Sequence, residues 1–253
     1  VTENRNNQKI LVAQELSKSF GGLKAVENVS FSIEQYGVTS IIGPNGAGKS
    51  TFFNLINGAI KIDSGQVSFK GEDITDLTPS NRLRRGMARS FQITNLFFDL
   101  TVLNNLQLAC QFIEDRKRLF QQLSNSRRAY ERANELLESF ELEEKRDSLA
   151  GELSHGEQRR LEIAVTMASK PDLLLLDEPT QGMSHGDTND TSELILALSK
   201  KTTVLLIEHD VELVMGLSKH VMVMSQGVKL AEGTPSEIRG NHDVQVAYFG
   251  ESH

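Results

Sequence analysis

The chain has 253 residues, 38% of them hydrophobic, enough to bury a full core as one large domain or as one core with an inserted lobe. Its net charge of −7 argues against a dedicated nucleic-acid binder, which would carry a basic excess or a basic stripe. A single cysteine excludes an internal disulfide, and no apolar run approaches the length of about 20 residues that spans a bilayer, so contact with a membrane is expected to run through a partner.

The opening "VTENRNNQK" lacks the apolar core of a secretion signal. Three β-type runs follow: "KILVAQEL" (9–16), "AVENVSFSIE" (25–34), in which Val26, Val29, Phe31 and Ile33 nearly alternate, and "VTSII" (38–42). Next stands "GPNGAGKST" (43–51), which fits G-x-x-x-x-G-K-[ST] between a strand-like and a helix-like segment. Its glycines let backbone N–H groups turn toward phosphates, Lys49 brings a charge to the β and γ groups, and Ser50 offers a hydroxyl to Mg²⁺. Gly43, Pro44, Asn45, Gly46, Ala47, Gly48, Lys49, Ser50 and Thr51 therefore form the candidate nucleotide loop.

"QVSFKG" (66–71) adds a strand. The basic clusters at 82–85, 116–118, 127–128 and 159–160 read as solvated helix faces. On residue type alone, Gln92 in "RSFQITNLF" caps the segment that follows a β-like run. From about 101 to 169 the pattern becomes long and helical, in "TVLNNLQLACQFI", "RRAYERANELLESF" and "GEQRRLEIAVTMASK", and approximately 93–160 reads as a helical lobe inserted in the core. Cys110, in an apolar-periodic stretch, reads as a small buried hydrophobe. "LSHGEQRR" (153–160) opens a helix with Ser, Gly and polar side chains, which is a second device for holding an anion.

Strand and helix then alternate: "DLLLLDEP" (172–179), a helix near 187–199, "TTVLLIEHD" (202–210), a helix near 211–218, and "HVMVMSQGVKLAEG" (220–233), two strands joined by a Gln226-Gly227 turn. Apolar strands such as "LLLL" and "VLLI", each followed by a helix, indicate a parallel sheet covered on both faces. At the end of such a strand Asp177 is placed to hold a Mg²⁺ shell opposite Ser50, and Glu178 to act as general base for an attacking water. His209 follows the next sheet strand and is expected at the same edge, within reach of a γ-phosphate.

Taken in order, "GPNGAGKST", "FQ", "LSHGEQRRLEIA", "LLLLDEP" and "EHD" closely resemble the ATP-binding subunits of ABC transporters over nearly the whole chain. The "LS-x-G" element just ahead of the acidic strand separates that family from other P-loop proteins. The resemblance implies an α/β fold, a P-loop NTPase with a RecA-like core, an antiparallel β subdomain and an inserted helical subdomain, in one ATPase domain over 1–253. It also implies that Phe20 stacks on adenine, that Gln92 senses nucleotide and its metal and relays this to a membrane subunit, and that His209 contacts the γ-phosphate. Two such subunits sandwich two ATP molecules head to tail, so Ser154, His155, Gly156 and Glu157 would complete the partner's site. This chain departs from the common pattern at His155 and Glu157, where Gly and Gln are usual, and at Ser184, where Asp is usual.

Within the family, "SKSFGGLKAVENVSFSI", "QGMSHGDTNDTSELI" and the terminal "VAYFGE" look most like importers of branched-chain amino acids and the related urea importers. The expected function is ATP hydrolysis, with Mg²⁺, that powers branched-chain amino-acid uptake. A urea or short-chain amide importer is the alternative, and a soluble non-transport ATPase the more distant one. The implied partners are polytopic membrane permease subunits, a second ATPase subunit (a paralogue or a second copy) and, indirectly, a periplasmic or extracellular binding protein, with no nucleic acid. The expected place is cytoplasmic, peripheral on the inner face of the cell membrane.

Overall fold

The computed structural model describes residues 8–90, 96–114 and 127–249. Strands β1 (Lys9–Phe20) and β2 (Leu23–Glu34) form a hairpin through Gly21-Gly22. The uneven alternation in β2 has a local cause. Ala13 pairs with Phe31 and Leu16 with Val29, then Lys18 with Val26, so over this stretch first β1 and then β2 carries an extra residue. The bulged positions include Glu15 and Asn28, both left-handed at φ 50° and 52°, and the opposite strand ties them: Ser30 Oγ accepts the Glu15 amide at 2.9 Å and Ser17 Oγ the Asn28 amide at 3.0 Å.

Strand β3 (Gly37–Ile42), buried at every residue, leads through the glycine-rich loop into helix α1 (Lys49–Asn57). The chain continues through β4 (Ser64–Phe69), β5 (Glu72–Asp73), α2 (Pro79–Arg84) and β6 (Met87–Arg89) to the helices α3 (Val102–Glu114), α4 (Arg127–Ser139) and α5 (His155–Met167). Helix α4 buries Ala129, Ala133, Leu136 and Leu137, a stripe at helical spacing, and packs against α3 and α5. There follow β7 (Leu173–Asp177), α6 (His185–Ser199), β8 (Thr203–Ile207), α7 (Val211–Leu217), β9 (His220–Ser225), β10 (Val228–Gly233), α8 (Pro235–Arg239) and α9 (His242–Phe249).

Two sheets result. One is antiparallel in the order β2-β1-β4-β5; the other runs β10-β9-β3-β8-β7-β6 and is parallel except for β10. The period of two shows which face each residue serves. Leu173, Leu175, Leu205 and Ile207 join the core shared with α1 and the antiparallel sheet, whereas Leu174, Leu176, Val204 and Leu206 join the core built with α3, α4 and α5. Cys110 is buried in that second core. A third cluster, Ile42, Val214, Val221, Val223, Ile238 and Val244, seats α8 and α9 against β3 and β9.

Two basic residues depart from the solvated-face reading. Arg82 is 1% exposed because its guanidinium caps carbonyls, and Arg159 is buried because it faces the end of β7. Helices α2 and α8, each opened by a proline at N1 or N2, and the three-residue β6 escape the sequence reading because they are too short to show a period. Among the described residues no helix is long and apolar enough to cross a membrane.

Candidate nucleotide site

The loop between β3 and α1 depends on two glycines. Gly48 has φ 96°, and a Cβ there would stand 2.4 Å from the Ala25 carbonyl oxygen; Gly43 has φ 153°, and a Cβ would stand 2.2 Å from that of Met224. Any side chain at either place would push the loop off the neighbouring backbone, so the curl that aims amides at a phosphate is fixed by packing as well as by φ. Lys49 is buried, and its Nζ donates to the Gly43 carbonyl at 2.7 Å and to that of Pro44 at 3.1 Å. Burial holds its pKa below the usual lysine range, against the opposing pull of Glu178 and Asp177. The loop forms one wall of a cleft of about 670 Å³. Its other walls are Phe20 and Leu23 from the β1–β2 hairpin, Glu178, His209, and the Gln226-Gly227 turn. Phe20 is 49% exposed at the hairpin tip, as an open stacking platform requires.

Sheet register gathers the acidic groups. Asp177 of β7 lies beside Ile207 of β8, which lies beside Ile41 of β3, so three adjacent strand ends deliver Asp177, His209 and the loop to one edge. Asp177 is 2% exposed; its Oδ2 accepts from Arg89 Nη2 at 2.9 Å. Burial raises its pKa, with Arg89 opposing. Its other oxygen, Oδ1, is buried with no hydrogen-bond partner. That orphan acceptor fits a cation. Among the described residues no group of three or more His, Cys, Asp or Glu gathers for a metal. The donors here are one carboxylate and the Ser50 hydroxyl in the cleft, a set that suits a hard cation taking its remaining oxygens from phosphate and water.

Glu178 sits in the left-handed region at φ 47°, which disfavours a residue with a Cβ and recurs where function over-determines the backbone. Its amide donates to the Ile207 carbonyl at 2.9 Å, and its Oε1 meets His209 Nε2 at 2.6 Å. Behind them Glu208, 3% exposed, accepts the Thr180 amide and hydroxyl on one oxygen and the His209 amide on the other. Glu208, Arg89 and Arg159 are the site residues that sequence reasoning missed. Each is charged and lies at the end of a buried strand or at the head of a helix, and that is the signal they offered.

Ser154, Gly156 and Glu157 do not line this cleft. Ser154 is the N-cap of α5: its Oγ accepts the Glu157 amide at 3.3 Å, while the Ser154 amide donates to Glu157 Oε2 at 2.8 Å. Gly156 is pressed against α6, where a Cβ would stand 2.5 Å from Asp187 Oδ1. Ser184 caps α6 and donates to Asp187 Oδ2 at 2.7 Å, so the serine that replaces the usual Asp has a local helix-capping job. Arg159 links α5 to the site of its own chain, donating to the Asp177 carbonyl at 3.3 Å. Gln92 lies outside the described residues.

A glycine-rich phosphate loop on a parallel sheet, with an Asp-Glu pair and a histidine at the neighbouring strand ends, defines a P-loop nucleotide-binding ATPase. A family model described as "ABC transporter" matches residues 26–181, and one described as "Branched-chain amino acid ATP-binding cassette transporter" matches 228–253. The high-affinity branched-chain amino acid transport ATP-binding protein LivG of Salmonella typhimurium is 42% identical over 97% of this chain and 100% of its own. The ADP conformation of MJ1267, an ATP-binding cassette of an ABC transporter, superposes with a TM-score of 0.88 at 34% identity over 97% of this chain and all of that one. The ATP-binding cassette MJ0796, solved as a dimer in a post-hydrolysis state with ADP and Pi, gives 0.73 at 26% identity, covering 89% and 98%. The chain belongs to the ATP-binding cassette family of ABC transporters.

Proposed function

We propose that this chain is the ATP-hydrolysing subunit of an importer for branched-chain amino acids, paired head to tail with a second ATPase subunit and docked on membrane permease subunits. The substrate class is supported by the relatedness to LivG along the full length and by the family match over the C-terminal residues 228–253. The pairing is supported by the dimer of the related cassette and by the absence of Ser154, Gly156 and Glu157 from the lining of their own chain's cleft.

The observation that carries the catalytic reading is the Glu178 carboxylate held by His209 at 2.6 Å on the rim of the phosphate-loop cleft. Lys49 exchanges its loop carbonyls for the β and γ phosphates, to which the loop amides and the N-terminus of α1 also point. Ser50 and Asp177 would hold Mg²⁺, with Gln92 completing the shell, and the bound ion would spread the charge of the phosphates. Glu178 takes the proton of the attacking water, and His209 fixes that carboxylate while reaching the γ-phosphate. Phe20 stacks on adenine. Ser154, Gly156 and Glu157 close over the nucleotide of the other subunit.

The chain is read as one cassette over 1–253, with approximately 93–160 as its helical lobe and Gln92 at the junction. An apolar cavity of about 400 Å³ beside that junction, lined among others by Leu96, Phe97, Phe112 and Val165, supports docking of a membrane subunit there. Such docking places the chain on the inner face of the membrane, with an external binding protein reached only through the permease. Glu178→Gln tests the assignment: MgATP binding is retained while turnover falls by roughly a hundredfold to ten-thousandfold. Near-normal steady-state hydrolysis in this variant rejects the role given to Glu178.

A further inference from the structure

Glu157 places a carboxylate three residues into α5, at the helix end that the proposed function brings against another subunit's γ-phosphate. The capping box formed with Ser154 does not need that charge, because Gln at the same position makes the same two hydrogen bonds. The surroundings show how the extra charge is handled. One carboxylate oxygen, Oε2, accepts the Ser154 amide at 2.8 Å; the other, Oε1, meets Lys145 Nζ at 3.1 Å. Lys145 stands on a one-turn 3₁₀ helix, Glu143–Lys145, in the segment that follows α4. The two arginines of α5 are engaged elsewhere. Arg159 pairs with Glu162 at 2.8 Å and donates to the Asp177 carbonyl, and Arg160 pairs with Glu141 at 2.7 Å. The second carboxylate near the helix end, Asp187 against Gly156, is held by Ser184. Lys145 is thus the cation paired with Glu157.

Glu157 keeps its charge in this setting. Burial pushes its pKa up, but the Ser154 hydrogen bonds and Lys145 together hold it below the usual carboxylate range. An anion left uncompensated there would repel an arriving triphosphate through the same helix end that is meant to attract it.

We propose that Lys145 is a positioning residue for the signature: by pairing with Glu157 it neutralises the carboxylate, so that the N-terminus of α5 accepts the terminal phosphate of a nucleotide held by a second cassette. The inference rests on the reading of Ser154 and Gly156 as parts of that second site. The pair is partly exposed, Lys145 at 45% and Glu157 at 31%, so it adds little to fold stability, and its consequence falls on nucleotide affinity instead.

The test uses the complete transporter, with MgATP as the probe, and separates KM from kcat. At low ionic strength Lys145→Ala is expected to raise KM for MgATP by roughly threefold to tenfold with kcat nearly unchanged, and the difference shrinks as salt screens the charge. Lys145→Arg restores the wild-type value. In a Glu157→Gln background, which keeps the capping box and removes the charge, Lys145→Ala has no effect. An equal rise in KM in both backgrounds, or none in either, overturns the proposal. So does an effect that follows a loss of melting temperature rather than salt. Ser154→Arg serves as the control for the underlying reading. Wild-type KM and turnover in that variant reject the signature's action across subunits and this inference with it. An inactive Ser154→Arg combined with a silent Lys145→Ala rejects only the role of Lys145.

Discussion

The carboxylate of Glu208 ties two loops together: Oε1 accepts the Thr180 amide at 2.9 Å and the Thr180 hydroxyl at 2.7 Å, and Oε2 accepts the His209 amide at 3.1 Å. It touches no substrate, yet it sets the backbone on both sides of the Glu178–His209 contact. Truncation to Ala removes bonds to a buried charge, so Glu208→Ala is expected to destabilise the fold by roughly 2–4 kcal/mol and to lower kcat at least tenfold. Denaturant unfolding and steady-state hydrolysis check this, and an unchanged kcat rejects the positioning role. Lys49→Ala acts on binding instead: losing a charge-assisted contact of roughly 1.5–3 kcal/mol should weaken ATP affinity by roughly tenfold to a hundredfold, measurable by calorimetry. His209 was legible in the sequence and Glu208 was not, for a physical reason. A strand end announces where a side chain starts, but the partner of Glu208 is Thr180, 28 positions earlier, and only the register of β7 beside β8 brings the two together.

Helix α1 is fixed at both ends. The loop glycines hold its start, and Arg82 from α2 holds its finish, donating to the Leu55 carbonyl at 3.0 Å, to that of Ile56, and to Leu77 and Thr75 at 3.0 and 2.9 Å. Burial pushes this guanidinium down to about 10, so it stays charged at neutral pH, where it also complements the negative end of the helix dipole. Arg82→Met would strand four carbonyls, and a loss of roughly 3–5 kcal/mol in denaturant unfolding is expected, with a smaller loss for Arg82→Lys. The C-terminal element reaches the same loop from the other side. Tyr248 of α9 packs on the cluster that contains Ile42, and its hydroxyl shares a hydrogen bond with the Gly43 backbone. Burial raises its pKa to about 12, so above the ordinary value near 10 the unfolded chain ionises while the native one keeps its proton. The contribution of this group is therefore present below pH about 10 and is lost as pH climbs toward 12. Across that window the melting temperature of wild type should fall relative to that of Tyr248→Phe, which has no proton to lose, and parallel curves reject the burial of the hydroxyl. Strands β7 and β8 were legible because unbroken apolar runs can only be buried on both faces. The roles of Arg82 and Tyr248 were not, since a cluster of arginines and a terminal aromatic look alike whether solvated or packed.

At the scale of the whole molecule the phosphate loop at 43–51 and the capped helix start at 153–157 stand on different walls: the cleft is lined by the first and by none of Ser154, Gly156 and Glu157. Both segments stand out in the sequence because each has a local signature of spacing and residue type, but their separation is a property of the folded sheet and of the helices α3 to α5 between β6 and β7. On the head-to-tail pairing proposed above, such a subunit holds half of each of two composite sites. Suppose one preparation carries Lys49→Ala and another Ser154→Arg, each failing alone to form an ATP-dependent closed dimer. In a head-to-tail mixed pair, one site combines the damaged loop with the damaged signature, and the other combines two intact halves. Mixing under conditions that allow exchange is then expected to restore nucleotide-dependent association, read by sedimentation or light scattering rather than by hydrolysis, because one repaired site need not turn over when its neighbour is broken. A signature acting on its own chain's nucleotide leaves every site broken in the mixture. If the natural pairing is with a paralogue, the two substitutions are divided between this chain and that one, and the arithmetic of intact halves is unchanged. Wild-type association together with no recovery in the mixture rejects the assignment of Ser154 and Gly156 to the partner's nucleotide.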